Sequence, residues 1–187
     1  MEMTTTTQTI KQEIPAATYV VDPVHSTIGF AVTHAGVSTF RGSFAEYEAR
    51  LAGGESPRLE GSVDVNSISL ADEQLKGHLL SPEFFDAGQY SRLSFESSEV
   101  SVDEDGAATV RGTLEIGGQS REVEASGRFA QHVNYLDGSA RVGLSLATTI
   151  DRRDFGLDWQ AELPSGGDAL DWQVEIAVEL ELVKEDE

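Results

Sequence analysis

From Trp172 to Leu182 every second residue is apolar, and the residues between are Gln173, Glu175, Ala177, Glu179 and Glu181. A period of two is that of a strand with one buried and one wet face, and a helix would scatter these side chains around its circumference. The same alternation returns along the chain. It is carried by Ile28, Phe30, Val32 and His34; by Phe40, Gly42 and Phe44; by Leu59, Gly61, Val63 and Val65; and by Leu93, Phe95 and Ser97. Later runs are Val100 and Val102; Val110 to Ile116; Val123 to Phe129; and Val142 to Ile150. Turn residues separate them, at Ala35–Ser38 around Gly36, at 53–57, at 103–106 and at 117–119. The phase shifts near Ala45 and Glu46 and again after Ser97, as a bulge would shift it.

One stretch has a different period. Asp72 is a candidate N-cap, Leu75, His78 and Leu79 recur at helical spacing, and Pro82 stops the run, which predicts a helix over about 72–81. About eight strands with one short helical insertion fit an antiparallel barrel or a strongly bent sandwich. A barrel of that strand number either fills with its own side chains or holds a small ligand, and periodicity does not choose between the two.

Composition narrows the partners. The 33 acidic and 13 basic residues give a formal charge of −20, a field that repels phosphate backbones, so no nucleic-acid partner is expected. No apolar run approaches the roughly 18 residues that cross a bilayer, so no stable membrane insertion is expected. The absence of cysteine excludes disulfides and thiolate chemistry. The N-terminal residues lack the basic start and apolar stretch of a secretory signal, which makes a cytoplasmic location the expectation. Residues 1–17 read as a flexible polar tail and 18–187 as a single domain.

Asp22, His25 and Ser26 are the residue types of a hydrolytic triad, but neighbours on a strand point to opposite faces, and the chain has no Gly-x-Ser-x-Gly elbow. A polar cluster that stabilises a turn is the expected use, with no catalytic residue assigned. The four histidines, His25, His34, His78 and His132, lack metal-ligand spacing, and no metal is expected. Parity puts His34 on the inward face and helical spacing puts His78 on the apolar side, where both could orient a ligand head group. Arg152 and Arg153 stand between Asp151 and Asp154, so local ion pairing is their expected state; the alternative is that one closes a cavity mouth over a carbonyl or phosphate.

Several of these motifs, in this order, resemble the YceI-like, polyisoprenoid-binding, lipocalin-like family. The resemblance rests on Asp22-Pro23-Val24-His25-Ser26 with Phe30; on the run from His34 to Phe44; on His78-Leu79, Phe84-Phe85-Asp86, Tyr90 and Phe95; and on Arg152 to Leu157 with Trp159. It covers about residues 18–183. Ser91-Arg92 and the turn at 117–122 depart from the family's usual residues. The resemblance implies an extended lipocalin-like eight-stranded antiparallel barrel, all-β apart from the helical insertion, whose apolar tunnel binds, sequesters or transports an isoprenoid-like lipid, polyprenyl or quinone. The residues expected to bind the ligand are Phe30, Val32, His34, Phe40, Phe44, His78, Leu79, Phe84, Phe85, Tyr90, Phe95, Phe155 and Trp159. No cofactor beyond that lipid is expected, and family members often pair as homodimers. The rival reading is an isomerase or cyclase acting on an apolar small molecule in the same barrel, with His34, His78 or Tyr90 moving a proton.

Overall fold

The computed structural model describes residues 12–132 and 136–185. In chain order its elements are β1 (Thr18–Val21), β2 (Thr27–His34), β3 (Ser38–Phe44), β4 (Tyr47–Ala52), β5 (Arg58–Asp64), β6 (Ile68–Ser69), α1 (Glu73–Leu80), β7 (Arg92–Val102), β8 (Ala107–Ile116), β9 (Gln119–His132), β10 (Arg141–Asp151) and β11 (Leu170–Lys184). Eight strands form a ring of antiparallel pairs, β1–β4–β5–β7–β8–β9–β10–β11 and back to β1. This is a closed eight-stranded barrel with one short helix, so each of the eight strands has a partner on both sides and none is a terminal edge strand.

The remaining strands extend the barrel at one end. β11 pairs with β1 through Leu182–Lys184 and with β2 through its earlier residues, so β2 prolongs the line of β1 past the turn at Pro23. In the same way β3 prolongs β4 across a bend at Ala45 and Glu46, where the sequence phase shifts. Both amides that leave the ladder there are satisfied by Ser67, Ala45 by its carbonyl (3.0 Å) and Glu46 by its hydroxyl (2.9 Å). The second phase shift is a slip of β7 against β8 between Ser97 and Glu99. The buried Ser97 hydroxyl there accepts the Leu59 amide at 2.8 Å.

β3 pairs with β6 only at Ser43 and Phe44. The wall beyond is made by α1 and the turn after it. The Asp72 side chain caps α1 by accepting the Leu75 amide at 2.7 Å, and the carbonyls at the helix end receive the amides of the next turn: Leu79 from Phe85, Leu80 from Ala87 and Ser81 from Phe84. Helix and turn therefore form one unit, which puts Phe85 against Phe30 and Phe44, ring centroids 6.4 and 6.3 Å apart. Asp72→Ala is expected to cost about 1 kcal/mol, a fall of roughly 2–4 °C in the melting midpoint; an unchanged midpoint would show that the cap is not needed.

Two glycines make room for rings. A Cβ on Gly42 would lie 2.5 Å from Phe30 Cζ, and one on Gly112 would lie 2.7 Å from Phe95 Cζ. Both rings can fold over the strand only because no side chain stands there.

The interior is packed in two blocks. At the end away from α1, Leu51, Val102, Val110, Phe129, Leu144 and Leu182 are at most 4% exposed. Ile14, 2% exposed, joins them: the Gln12 amide donates to the Val102 carbonyl at 2.9 Å and the Gly54 amide to the Ile14 carbonyl at 2.9 Å. Residues 12–17, expected in a polar tail, thus lie across the barrel end because Ile14 has apolar surface to bury. The rest of that expected tail, residues 1–11, lies outside the described residues. The second block gathers Phe44, Val65, Ile68, Leu79, Phe85 and Phe155 beside α1. Among the described residues no helix is long and apolar enough to cross a membrane.

Candidate functional site

Between the two blocks the barrel is hollow. The cavity has a volume of about 560 Å³, within the ~300–1,000 Å³ usual for small-molecule sites. Inward residues of β2, β3, β5, β7, β8, β9, β10 and β11 make its wall, and Leu75, His78, Leu79, Phe84 and Phe85 of α1 and its turn complete it. The exposed His34 and Ser38 of the β2–β3 hairpin and the partly exposed Leu75 mark the opening. The lining is almost wholly apolar. Its few polar members are His34, Ser38, His78, Thr148 and Arg152, with Glu60, Ser62 and Ser94 reaching it from the outer face at Gly61, where the wall has no side chain.

Eleven of the thirteen residues expected to bind a ligand line this space: Phe30, Val32, His34, Phe40, Phe44, His78, Leu79, Phe84, Phe85, Phe95 and Trp159. Phe30 is the hub of its aromatic wall, 6.1 and 6.0 Å from the rings of Phe40 and Phe44. At the mouth His78 meets Phe84 and Trp159 edge-on at 5.0 and 5.1 Å, and its Nε2 lies 2.7 Å from the Glu83 carboxylate. Tyr90 and Phe155 are elsewhere. The Tyr90 ring packs over Gly118 in the β8–β9 turn, where a Cβ would come within 2.8 Å of it, and its hydroxyl accepts from Gln89 at 2.7 Å. Phe155 is buried in the block behind the wall. The lining residues absent from that expectation include Ile28, Ile116, Ala125, Ile150, Val178 and Leu180. The signal for them was present, since Val178 and Leu180 share the parity of Val174 and Ile176.

Arg153 is ion-paired to Asp151 as expected, at 2.5 Å. Arg152 is not. It is 3% exposed, and its guanidinium donates to backbone carbonyls, those of Leu157 (2.6 Å), Trp159 (2.8 Å), Asp171 (2.9 Å) and Leu170 (3.2 Å). Its carbon also lies 4.2 Å from the centre of the Trp172 ring. Burial pulls its pKa below the ordinary arginine value. The reason for the departure is geometric: the 3-10 turn Arg152–Phe155 points this side chain inward, where the acceptors are carbonyls of the rim loop, at Leu157 and Trp159, and of the start of β11, at Leu170 and Asp171. Arg152 therefore ties the rim loop at Leu157 and Trp159 to the start of β11 at the mouth.

The Asp22–Ser26 motif lies far from a triad geometry. The His25 Nδ1 is 3.0 Å from Asp22, but the Ser26 hydroxyl is engaged with the backbone of Glu181, whose amide donates to it at 2.9 Å. Arg141 bridges the two carboxylates, 2.8 Å from Asp22 and 2.6 Å from Glu181. Asp22, His25 and Glu181 each bring a ligand-type atom within 4.8 Å of the others, but the guanidinium already supplies the positive charge between them. The cluster pins β1, β2, β10 and β11 where the barrel line turns.

His25 and then Arg141 hold the Asp22 carboxyl at about 2, and the bond to Asp22 raises the pKa of His25. The two shifts act in opposite pH windows. The Asp22 contribution is complete above its ordinary carboxylate value and is lost as pH falls towards 2; the His25 contribution is complete below its ordinary value of 6.5 and is lost as pH rises through its raised one. The melting midpoint should therefore fall by a few degrees at most between about pH 6 and 8.5, and His25→Asn should flatten that slope. Parallel curves for the two proteins would contradict it.

These features define a class, a closed antiparallel barrel with an apolar internal cavity opening beside a helical cover. The sequence assigns the chain within that class, since residues 19–182 match the model of the YceI-like domain. The chain belongs to the YceI-like domain family. A UPF0312 protein of Vibrio cholerae is 30% identical over 148 residues, 76% of this chain and 78% of that one, and one of Staphylococcus aureus is 27% identical over 154 residues, 80% and 87% of the two. Among solved structures, BcnA of Burkholderia cenocepacia superposes with a TM-score of 0.72 at 20% identity, covering 86% of this chain and 98% of that one. A polyisoprenoid-binding domain from Saccharophagus degradans superposes with a TM-score of 0.67 at 15% identity, covering 91% and 99%.

Proposed function

We propose that this protein binds the apolar tail of an isoprenoid-like lipid, a polyprenyl or quinone compound, inside the barrel and sequesters or carries it. The observation that carries the reading is the hollow: an apolar cavity of about 560 Å³ in a barrel whose other end is packed solid. Burying a methylene there contributes about 0.8 kcal/mol, so a hydrocarbon tail binds with few polar contacts. The description of the Saccharophagus degradans relative as polyisoprenoid-binding supports the same ligand class. An isomerase or cyclase would need a proton-moving group beside the buried tail; His34 and His78 stand at the rim and Tyr90 lies outside the lining.

The head group should be neutral. Among the described residues Arg152 is the one Arg or Lys of the lining, and four hydrogen bonds already engage its guanidinium with carbonyls, while the chain carries a formal −20. Farnesol is therefore expected to bind at least tenfold more tightly than farnesyl diphosphate, a difference of more than about 1.4 kcal/mol. Solvent extraction of the purified protein followed by mass spectrometry tests the main reading. Repeated recovery of no lipid, with no binding of a fluorescent polyene, rejects it.

A further inference from the structure

Resting on the lipid-binding reading, we propose that the tip of the β2–β3 hairpin, with the start of α1, is a peripheral docking face for a neutral phospholipid bilayer. Val37 stands at the tip with 85% of its surface exposed, and Leu75 of α1 is 37% exposed. Both are at the mouth: Val37 falls between the lining residues His34 and Ser38 in sequence, and Leu75 is itself a lining residue. The tip is held in place. Ala35 and Gly36 turn the chain with φ of 51° and 68°, and the Val37 amide donates to the His34 carbonyl at 3.1 Å. The Ala35 amide donates to the Ala169 carbonyl of the rim loop at 2.8 Å. A valine fixed in water at a turn adds little to the fold, and its apolar surface is available to something outside it.

Charge singles out the same place. From Pro23 to Ala45 the chain has no Asp or Glu, its longest such run, and the one formal charge there is that of Arg41, which is exposed on β3. A formal −20 is spread over the rest. Glu179, opposite Thr27 at the far end of β2, already stands on the order of 20 Å from the tip, while charge is screened within about 8 Å at physiological ionic strength. A bilayer at the tip therefore meets the hairpin and the mouth rather than the acidic wall. The acids that flank the mouth, Asp72 and Glu73 at the start of α1 and Glu162 and Asp168 of the rim loop, favour a neutral surface over an anionic one.

The apolar patch is too small for a protein partner. A stable interface between proteins needs about 1,000 Å², and two side chains fall far short of it. A bilayer sets no such demand, because its surface is continuous and admits shallow apolar contacts. It is also where an apolar guest resides, since each methylene adds to the cost of passing through water. Docking mouth-first removes that aqueous step.

The test is stopped-flow transfer of retinol, a fluorescent isoprenoid alcohol, from the loaded full chain to excess phosphatidylcholine vesicles. Transfer by docking is bimolecular, so its rate is expected to rise in proportion to vesicle concentration, whereas prior release into water would make the rate independent of it. Val37→Glu is expected to lower that slope about tenfold. Its retinol affinity in solution should stay that of the parent, because Val37 is outside the lining. Val24→Glu is the control: it adds the same charge at a residue 81% exposed in the same acid-free run, but next to the opposite end of β2, and it should transfer at the parent's rate. Vesicles containing phosphatidylglycerol should receive retinol more slowly, and faster transfer to them would overturn the choice of a neutral surface. A rate independent of vesicle concentration, or equal slopes for the two variants, overturns the docking face and leaves the lipid-binding reading intact. Retinol that does not bind at all overturns that reading and the docking face with it.

Discussion

Arg152→Met should lower the stability of the fold by roughly 3–5 kcal/mol, on the order of 10 °C in the melting midpoint. The size of the effect comes from what the guanidinium leaves behind. Four backbone carbonyls, those of Leu157, Trp159, Leu170 and Asp171, converge on it in a place from which water is largely excluded. A buried acceptor that loses its donor costs about 1–3 kcal/mol, and methionine offers none. Lysine has a charge and three donors but no planar fork, so Arg152→Lys should recover only part of the loss. Because these bonds join the rim loop at Leu157 and Trp159 to the start of β11 at Leu170 and Asp171, the variant should also release bound lipid faster at temperatures where it is still folded. Chemical denaturation read beside lipid retention would measure both. A variant within a degree or two of the parent would show that the rim stands without this residue.

Nothing in the local sequence pointed to that role. Arg152 has acidic neighbours on either side of the Arg pair, and local pairing is the natural expectation for a charge flanked by Asp151 and Asp154. Its actual partners are main-chain atoms contributed by residues five to nineteen positions away, and main-chain acceptors carry no residue signature. The strands, in contrast, were legible because each announces its buried face by period two. β1 escaped notice because four residues, Thr-Tyr-Val-Val, are too few to display an alternation. Parity also says only which way a side chain points, not what it meets. Leu144 and Leu146 have the same parity on β10 and both belong to the packed block, yet only the second also lines the cavity. Tyr90 and Phe155 show the same limit for aromatics. Their motifs demanded burial, and each is partly or fully buried, but against Gly118 and behind the wall rather than in the cavity. The hollow itself depends on how eight inward faces fail to meet, a property of the closed ring that no one strand encodes.

Removal of the ligand should be felt through the whole barrel. An empty apolar cavity leaves its lining without partners on one side, and those dispersion contacts are lost outright. A ligand that binds only the folded state stabilises it by mass action, about 4 kcal/mol at a thousand times its dissociation constant. For a chain of this size that is roughly 8–16 °C in the midpoint. Delipidated protein is therefore expected to melt lower than protein loaded with farnesol by an amount of that order, and the difference should grow with farnesol concentration. Ile176→Phe supplies the control. The side chain lines the cavity beside Phe30, its register partner on β2, so the added ring has empty space to enter rather than a packed core to disturb. The empty variant should melt no lower than the empty parent, and it should respond far less to farnesol, because its own ring now occupies the guest's place. Filling the hollow in this way would exchange binding for stability. Equal melting of the loaded and delipidated parent would mean that the space does not work as a binding site.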